Sequence, residues 1–189
     1  HSSSLFKAIS KQFKRWLCWK GKLKLVMKKA EALKIVKYAP QDLKNLPNYL
    51  KKDKKIVLEA VKQHGDVLQY ADKKFKKDKK IVLEAIKSWG GALKYADKTF
   101  KKDKKFLLKA VKHFGACLEF ADRTLKKDKK IVLEAVKSYG GNLKYADKGL
   151  KKDKKFILKA FKYGGYVFFA DESLKDDLDI MAAINKQKK

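Results

Sequence analysis

The sequence predicts an all-α fold, namely an α-solenoid of stacked two-helix repeats with a 25-residue period. Three observations support this prediction. The pentapeptide Lys-Lys-Asp-Lys-Lys occurs unchanged at 51–55, 76–80, 101–105, 126–130 and 151–155. Each copy is followed by apolar residues at helical spacing, and a glycine comes after them at a nearly constant distance. A fixed period of this length indicates an array in which each unit buries its apolar face against its neighbours.

Residues 1–19 are predicted to form a basic amphipathic N-terminal helix, in which residues 1–4 are typical of an expression-tag remnant. Leu5, Ile9 and Phe13 lie at helical spacing on one face, and lysines lie on the other. Such a helix binds an anionic membrane surface through residues 5–17, serves as a calmodulin-type target, or covers the exposed core of the first repeat. The spacing favours the covering role and leaves the others open.

Residues 20–50 are predicted to be a degenerate first repeat with a proline-containing loop. Gly21 interrupts the first pattern, and a second helical pattern runs from about residue 22 to residue 39. The end of this pattern resembles the Tyr70-Ala71 step of the later repeats. Pro40 and Pro47 mark the loop before the regular array begins.

Residues 51–170 are predicted to hold five regular repeats, of which 78–102 is the clearest. Asp78 is a suitable N-cap for a first helix of about ten residues. Gly90 is expected to end that helix in a left-handed conformation. A second helix of about eight residues follows, with Leu93, Ala96 and Phe100 along one side.

An aromatic residue precedes the glycine in each repeat. Because it lies four residues after an alanine of the apolar face, we expect it to be buried between repeats. A ladder of rings on which nucleic-acid bases stack is the less favoured interpretation. The five positions are His64, Trp89, Phe114, Tyr139 and Tyr163.

Residues 171–189 are predicted to form a C-terminal cap and tail. Acidic residues replace the lysines after Asp171, and Ile180 and Ile184 belong to a last half-repeat. A polar end that departs from the repeat sequence is typical of the capping unit of a helical array.

The repeats resemble a known family. The pattern Asp-x-x-x-Val-Leu-x-Ala-Val-x-x-x-Gly-x-x-Leu-x-x-Ala is similar to a short repeat known as a domain of unknown function in bacterial and protist proteins. It covers about residues 51–184 and is first read at Asp53, Val57, Leu58, Ala60, Val61, Gly65, Leu68 and Ala71. The resemblance implies tandem helical hairpins, and it implies no catalytic residue and no cofactor.

The charge is strongly basic, with a formal net value of +29. Of the 50 basic residues only Arg15 and Arg123 are arginine, so the surface carries point charges rather than the forked donors that read base edges. Such a surface attracts polyanions mostly without regard to sequence. A genome rich in A and T would also raise the lysine count, and this explanation remains open.

The lysines of the five blocks are predicted to lie at one turn of each stacked unit and thus to form one row, the lysine ridge. We expect the lysine ridge to bind nucleic acid or another polyanion, or alternatively an acidic protein partner; a passive solvated edge copied by repeat duplication is the competing interpretation. Its members are Lys51, Lys52, Lys54, Lys55, Lys76, Lys77, Lys79, Lys80, Lys101, Lys102, Lys104, Lys105, Lys126, Lys127, Lys129, Lys130, Lys151, Lys152, Lys154 and Lys155. These lysines are expected to be replaceable without loss of the fold.

Two acidic positions also recur. The first alternates between glutamate and lysine, at Glu59, Glu84, Lys109, Glu134 and Lys159, and its members in adjacent units are expected to pair with one another from Glu84 onward. The second is expected to pair with a lysine or to cap the next unit, at Asp72, Asp97, Asp122, Asp147 and Asp171.

No enzyme motif is present in the sequence, and we expect no catalysis, no small-molecule substrate, no cofactor and no metal site. Cys18 and Cys117 have neither metal-ligand nor redox spacing, which favours the cytoplasm or another reducing compartment. No apolar run approaches the length of a membrane span, and the start of the sequence shows no signal-peptide pattern.

Overall fold

The computed structural model describes residues 27–187 and, from residue 186 onward, the backbone alone. Every regular element in this range is helical, and successive units pack on one another, which confirms the predicted all-α solenoid. The predicted amphipathic helix at 5–17, Cys18 and the last two lysines lie outside the described residues.

The long helices carry the repeat. They are α1 (Lys29–Tyr38), α2 (Lys54–Gln63), α3 (Lys79–Ser88), α4 (Lys104–His113), α5 (Lys129–Ser138), α6 (Lys154–Lys162) and α7 (Leu178–Gln187). Each is in contact with the next along the chain. Their apolar faces are buried in one continuous core, in which Ile56, Ile81, Phe106 and Ile131 have no exposed surface.

An aspartate starts each of the helices α2 to α6, as predicted. The side chain of Asp78 accepts hydrogen bonds from the backbone N–H groups of Lys80 and Ile81, at 3.0 and 3.2 Å. The same two bonds recur at Asp53 and Asp128, whereas Asp103 and Asp153 each accept one, from the N–H groups of Phe106 and Phe156. These bonds satisfy donors that the first turn of a helix otherwise leaves free.

A 3-10 helix follows each long helix from α1 to α6, and a short helix then ends the unit. The 3-10 helices are Pro40–Asn45, Gly65–Tyr70, Gly90–Tyr95, Gly115–Phe120, Gly140–Tyr145 and Val167–Phe169. The short helices are Asn48–Lys51, Lys73–Lys76, Lys98–Lys102, Leu125–Lys127, Lys148–Lys152 and Glu172–Leu174.

The predicted single second helix of about eight residues is therefore wrong. Ala96 is extended, with φ −68° and ψ 158°, and Asp97 then caps a new helix by accepting the N–H of Thr99 at 3.0 Å. Aspartate competes with the backbone for hydrogen bonds and is favoured at a cap over a helix interior. The recurring aspartates thus cap the short helix of their own unit, at Asp72, Asp97, Asp147 and Asp171, and Asp122 makes the equivalent bond with Thr124 in the turn before Leu125–Lys127.

The glycines that follow helices α2 to α5 have a role other than the one predicted. Among the described residues only Gly164 has a positive φ, at 83°, so Gly90 does not adopt the expected left-handed conformation. The glycines are instead sites of close approach. A Cβ atom on Gly65 would lie 2.0 Å from the carbonyl oxygen of Ala85 in the next unit. Any side chain there would push neighbouring units apart.

The C-terminal unit departs from the repeat. Helix α6 is one residue shorter than the helices before it, and Gly164 makes the turn that follows. Ile180 of α7 is buried, whereas Leu178 and Met181 are exposed. Within the described residues, no helix combines the length and the apolar character needed to cross a membrane.

Candidate functional site

The blocks of the lysine ridge follow one another along the edge where the long helices begin. Backbone hydrogen bonds join them, because the N–H of Asp97 donates to the carbonyl of Lys76 at 2.9 Å. The N–H groups of Asp122, Asp147 and Asp171 donate to Lys101, Lys126 and Lys151 in the same way. Each block thus spans the junction of two units, and its four lysines meet different surroundings. They are called the first, second, fourth and fifth lysine, after their positions in the pentapeptide, whose third residue is the aspartate.

The first lysine of each block donates a hydrogen bond to a carbonyl near the C-terminal end of the 3-10 helix in its own unit. Its Nζ donates to the carbonyl seven residues earlier, at 2.6 to 3.0 Å, in the pairs Lys51–Lys44, Lys76–Gln69, Lys101–Lys94, Lys126–Glu119 and Lys151–Lys144. Lysine near a helix C-terminus commonly binds the carbonyls left free there. Partial burial, together with a neighbouring lysine, lowers the pKa of Lys76 and of Lys151.

The fourth lysine of a block joins its unit to the next. Lys54 Nζ lies 2.6 Å from Asp78, and the pairs Lys104–Asp128, Lys129–Asp153 and Lys154–Asp177 follow at 2.5 to 2.8 Å. Lys29 of α1 makes the same contact with Asp53, at 2.6 Å. Lys79 differs, since its Nζ lies 5.8 Å from the ring centroid of Phe106.

These contacts act on the capping carboxylates. The hydrogen bond from Lys129 and the backbone N–H of Phe156 hold the pKa of Asp153 below its ordinary value. At Asp78, partial burial opposes this effect, but the hydrogen bonds from Lys54 and Ile81 still lower the pKa. The capping aspartate is therefore engaged on both sides, by its own helix and by the preceding unit.

The fourth lysines Lys54, Lys79, Lys104 and Lys129 are exposed, although each contacts the next unit. The second and fifth lysines are exposed in every block, and among the residues that the structure describes they make no hydrogen bond through Nζ. They are Lys52, Lys77, Lys102, Lys127 and Lys152, and Lys55, Lys80, Lys105, Lys130 and Lys155. Within residues 27–187, only Lys77 among them has a carboxylate within ion-pair distance, that of Asp97 at 3.9 Å. The structure thus separates ten lysines that have partners in their own unit or in the next one from ten that are available to a ligand, whereas the sequence predicted that all twenty are replaceable.

The predicted ion pairs between units at Glu84, Lys109 and Glu134 are wrong. Glu84 pairs within its own helix with Lys87, at 2.8 Å, and Glu134 pairs with Lys137, at 2.9 Å. The partners are three positions apart in the sequence, so both side chains lie on one side of a single helix. Exposed pairs of this kind contribute at most about 1 kcal/mol.

The aromatic residues before the glycines are exposed, and the prediction that they are buried between repeats is wrong. Trp89, Phe114, Tyr139 and Tyr163 retain 37, 41, 58 and 45% of their surface. Trp89, Phe114 and Tyr139 end their helices with extended backbone, at φ between −152° and −162°. The helical spacing on which the burial was predicted does not hold for a residue that has already left the helix.

These rings and His64 form a second row, the aromatic edge, at the end of the long helices opposite the lysine ridge. Its members are His64, Trp89, Phe114, Tyr139 and Tyr163. In the sequence, the exposure of these residues could have been recognised from their position directly before the glycine, where the helix ends.

Cys117 lies in the core, where its Sγ donates to the carbonyl of Gly90 at 3.3 Å. Burial raises the pKa of its thiol to about 12, so the thiolate needed for metal binding or redox chemistry is disfavoured. In the part of the chain that the structure describes, no three His, Cys, Asp or Glu side chains are grouped so as to hold a metal ion.

Overlapping segments of the chain match a family described as Domain of unknown function (DUF4116). The matched residues are 32–76, 56–102, 78–126, 103–151 and 128–175. Each segment contains nearly two of the 25-residue units, and together the segments span residues 32–175 of 189. This match confirms the resemblance found in the repeat pattern. No curated protein and no solved structure matches the sequence.

Proposed function

The chain belongs to the DUF4116 family, and from the surface that its repeats carry we propose that it binds nucleic acid or another polyanion. Binding uses the second and fifth lysines of the lysine ridge and is mostly independent of sequence. The proposal includes no catalytic step. A protein partner with an acidic surface is the alternative ligand of the same lysines, and membrane attachment through residues 5–17 is a separate alternative.

The observation that supports the proposal is the regular supply of unpaired positive charge. Two exposed lysines per unit recur on five successive units along one edge, as the lysine ridge defines them. Lysines of the same blocks that have structural partners keep this edge in register. If neighbouring helices stack at about 10 Å, each unit meets about every third phosphate of a strand with a 3.4 Å rise.

The type of residue also favours a ligand recognised by charge alone. Lysine carries a compact charge on a flexible stem, which tolerates a mismatch between the spacing of the units and that of the phosphates. The second lysine stands near the cap of the next short helix, as Lys102 does near Asp122 and Lys152 near Asp171. These carboxylates temper the local field, and the net charge of the lysine ridge remains positive.

The test is a salt titration of binding to duplex DNA, RNA and heparin. We compare two variants that each replace five exposed lysines with glutamine. The first changes Lys52, Lys77, Lys102, Lys127 and Lys152 of the lysine ridge. The control changes scattered lysines outside both rows, at Lys28, Lys34, Lys44, Lys109 and Lys159.

We expect affinity to fall steeply with salt, because bound phosphates release counterions. The lysine-ridge variant should have a shallower slope of log K against log salt, by up to about 0.9 for each phosphate that it no longer neutralises. The control should retain the slope. Equal losses in the two variants would show that net charge alone is responsible, and binding that does not change with salt would rule out the proposal.

A further inference from the structure

The aromatic edge is a surface separate from the lysine ridge. The two rows stand at opposite ends of the same long helices, and a ten-residue helix such as α3 is about 15 Å long. The aromatic edge therefore needs its own explanation, and a polyanion lying on the lysine ridge does not supply it.

Two rings of the aromatic edge contact the preceding unit. The ring of Phe114 lies against Gly90, the residue after Trp89, where a Cβ atom would be 2.0 Å from Phe114 Cδ1. Lys137, two residues before Tyr139, has its Nζ 4.7 Å from the ring centroid of Tyr163. The row is thus built from contacts between neighbours and has the period of the repeat.

Glycine holds two of these rings flat against the backbone. A Cβ atom on Gly91 would lie 2.2 Å from Trp89 Cζ2, and one on Gly141 would lie 2.4 Å from Tyr139 Cε1. One side of each ring is therefore in contact with its own chain, while 37% of Trp89 and 58% of Tyr139 stay exposed. A ring fixed in this way loses little conformational entropy when a ligand stacks on it.

Positive charge accompanies the rings. Exposed lysines in the last turn of each long helix stand one or two residues before them, at Lys62, Lys87, Lys112, Lys137 and Lys162. Lys94 Nζ lies 5.4 Å from the ring centroid of Trp89. The nearby carboxylates of Glu84 and Glu134 are paired with Lys87 and Lys137. The aromatic edge thus combines exposed flat rings with an excess of lysine.

We propose that the aromatic edge binds single-stranded nucleic acid, with bases stacked on Trp89, Phe114, Tyr139 and Tyr163 and phosphates beside the lysines that precede them. This inference goes beyond the proposed function, since it concerns a surface other than the lysine ridge and a nucleic acid with unpaired bases. Proteins that bind single strands without sequence preference combine a basic track with rings on which successive bases stack. A duplex or heparin offers no free base to these rings.

The spacing suits a strand longer than one unit. If units stack at about 10 Å and a stacked strand rises about 3.4 Å per nucleotide, one ring serves about three nucleotides. Flexible lysine side chains between the rings then meet the intervening phosphates. Binding should consequently tolerate any base, because every base has a face that can stack.

The experiment uses the full chain and three probes of similar charge: an oligothymidine of about 15 nucleotides, an abasic strand of the same length, and heparin. The test variant is Trp89→Ala combined with Tyr139→Ala. The matched control is Trp89→Phe combined with Tyr139→Phe, which keeps a ring at both positions. Circular dichroism checks that each variant retains its helices.

We expect the native chain to bind oligothymidine more tightly than the abasic strand, by at least about fivefold for each ring engaged. The alanine variant should lose the part of this preference that Trp89 and Tyr139 supply, about fivefold for each ring, with its affinity for heparin unchanged. The phenylalanine variant should keep most of the preference. Equal binding of the two strands by the native chain would overturn the inference and would favour a protein as the ligand of the aromatic edge. Salt-dependent binding of heparin and duplex would still leave the proposed function standing in that case.

Discussion

Residues of the same type have different roles in each Lys-Lys-Asp-Lys-Lys block. The first lysine donates to a carbonyl of its own unit, and the fourth binds a capping aspartate of the next unit, as Lys129 does with Asp153 at 2.6 Å. The second and fifth are exposed and, among the described residues, make no hydrogen bond through Nζ. Only the latter two positions are suited to a ligand, because binding through the others would break contacts within a unit or between units.

This division predicts a difference between adjacent lysines. Lys126 Nζ donates to the carbonyl of Glu119 at 2.7 Å, whereas Lys127 is exposed. Lys126→Gln should lower the free energy of unfolding by about 1 kcal/mol, because the carbonyl loses its partner. Lys127→Gln should change it by less than about 0.5 kcal/mol.

Urea unfolding followed by circular dichroism measures both lysine variants. If Lys127→Gln proves the more destabilising of the two, the structural role assigned to the first lysine of each block is wrong.

At the scale of elements, each unit is organised by where its helices must stop. The long helix ends in an extended residue, and the 3-10 helix begins at the glycine that follows, as at Trp89 and Gly90. The aspartate cap then starts the short helix. Three brief elements therefore replace one continuous second helix, and the glycine between the first two lets neighbouring units approach.

Two glycines should respond in opposite ways to alanine. A Cβ atom on Gly140 would lie 1.8 Å from the carbonyl oxygen of Gly164, whereas the nearest atom to one on Gly149 is Asp147 Oδ1, at 3.2 Å. Gly140→Ala should lower the free energy of unfolding by about 1–3 kcal/mol, since the backbone of the next unit must move. Gly149 lies in a short helix, so Gly149→Ala should leave the free energy of unfolding unchanged or raise it by up to about 1 kcal/mol.

Thermal and urea unfolding measure the stability of the two glycine variants. A Gly140→Ala chain as stable as the native one would mean that the units of α5 and α6 do not approach as closely as the structure shows.

At the scale of the whole molecule, the array combines a large positive net charge with lysine–aspartate contacts between neighbouring units. The formal net charge is +29, and such an excess opposes compaction through self-repulsion. The capping aspartates Asp53, Asp78, Asp128, Asp153 and Asp177 counter it, because each one accepts hydrogen bonds from its own helix and pairs with a lysine of the preceding unit. The stability of the array should therefore depend on the ionisation of these groups.

Acid should weaken the array. The pKa values of Asp53, Asp78, Asp128, Asp153 and Asp177 lie below their ordinary values in the folded chain. A carboxylate whose pKa is lower in the folded state stabilises that state above its unfolded pKa, about 3.9, and loses this effect as pH falls through the folded value. We expect the free energy of unfolding to be level from about pH 7 to pH 5 and to fall below about pH 4.

A variant with Asp78→Asn and Asp128→Asn separates this linkage from the general rise in positive charge. Asparagine still caps a helix but does not titrate, so the pH dependence of the variant should be shallower. Native and variant curves that run parallel between about pH 5 and pH 3 would contradict the linkage.

The sequence by itself determined the features that depend on near neighbours along the chain. The 25-residue period, the aspartate N-caps and the buried faces of the long helices follow from bonds and spacings within a few residues, as between Asp78 and Ile81 at 3.2 Å. The DUF4116 match rests on the same local pattern. Short-range hydrogen bonds and helical periodicity leave few alternatives at these positions.

Only the tertiary structure decided which side chains are free. The partner of Lys54 is Asp78, the carbonyl that approaches Gly65 belongs to Ala85, and the residue beneath the Phe114 ring is Gly90. Each of these contacts joins residues about one repeat apart, so it depends on how the units stack. The exposure of Trp89 likewise depends on its extended backbone, which turns the ring away from the face that helical spacing predicted. The sequence predicted the lysine ridge, but which of its lysines are free, and the exposure of the aromatic edge, became visible only once the units were packed together.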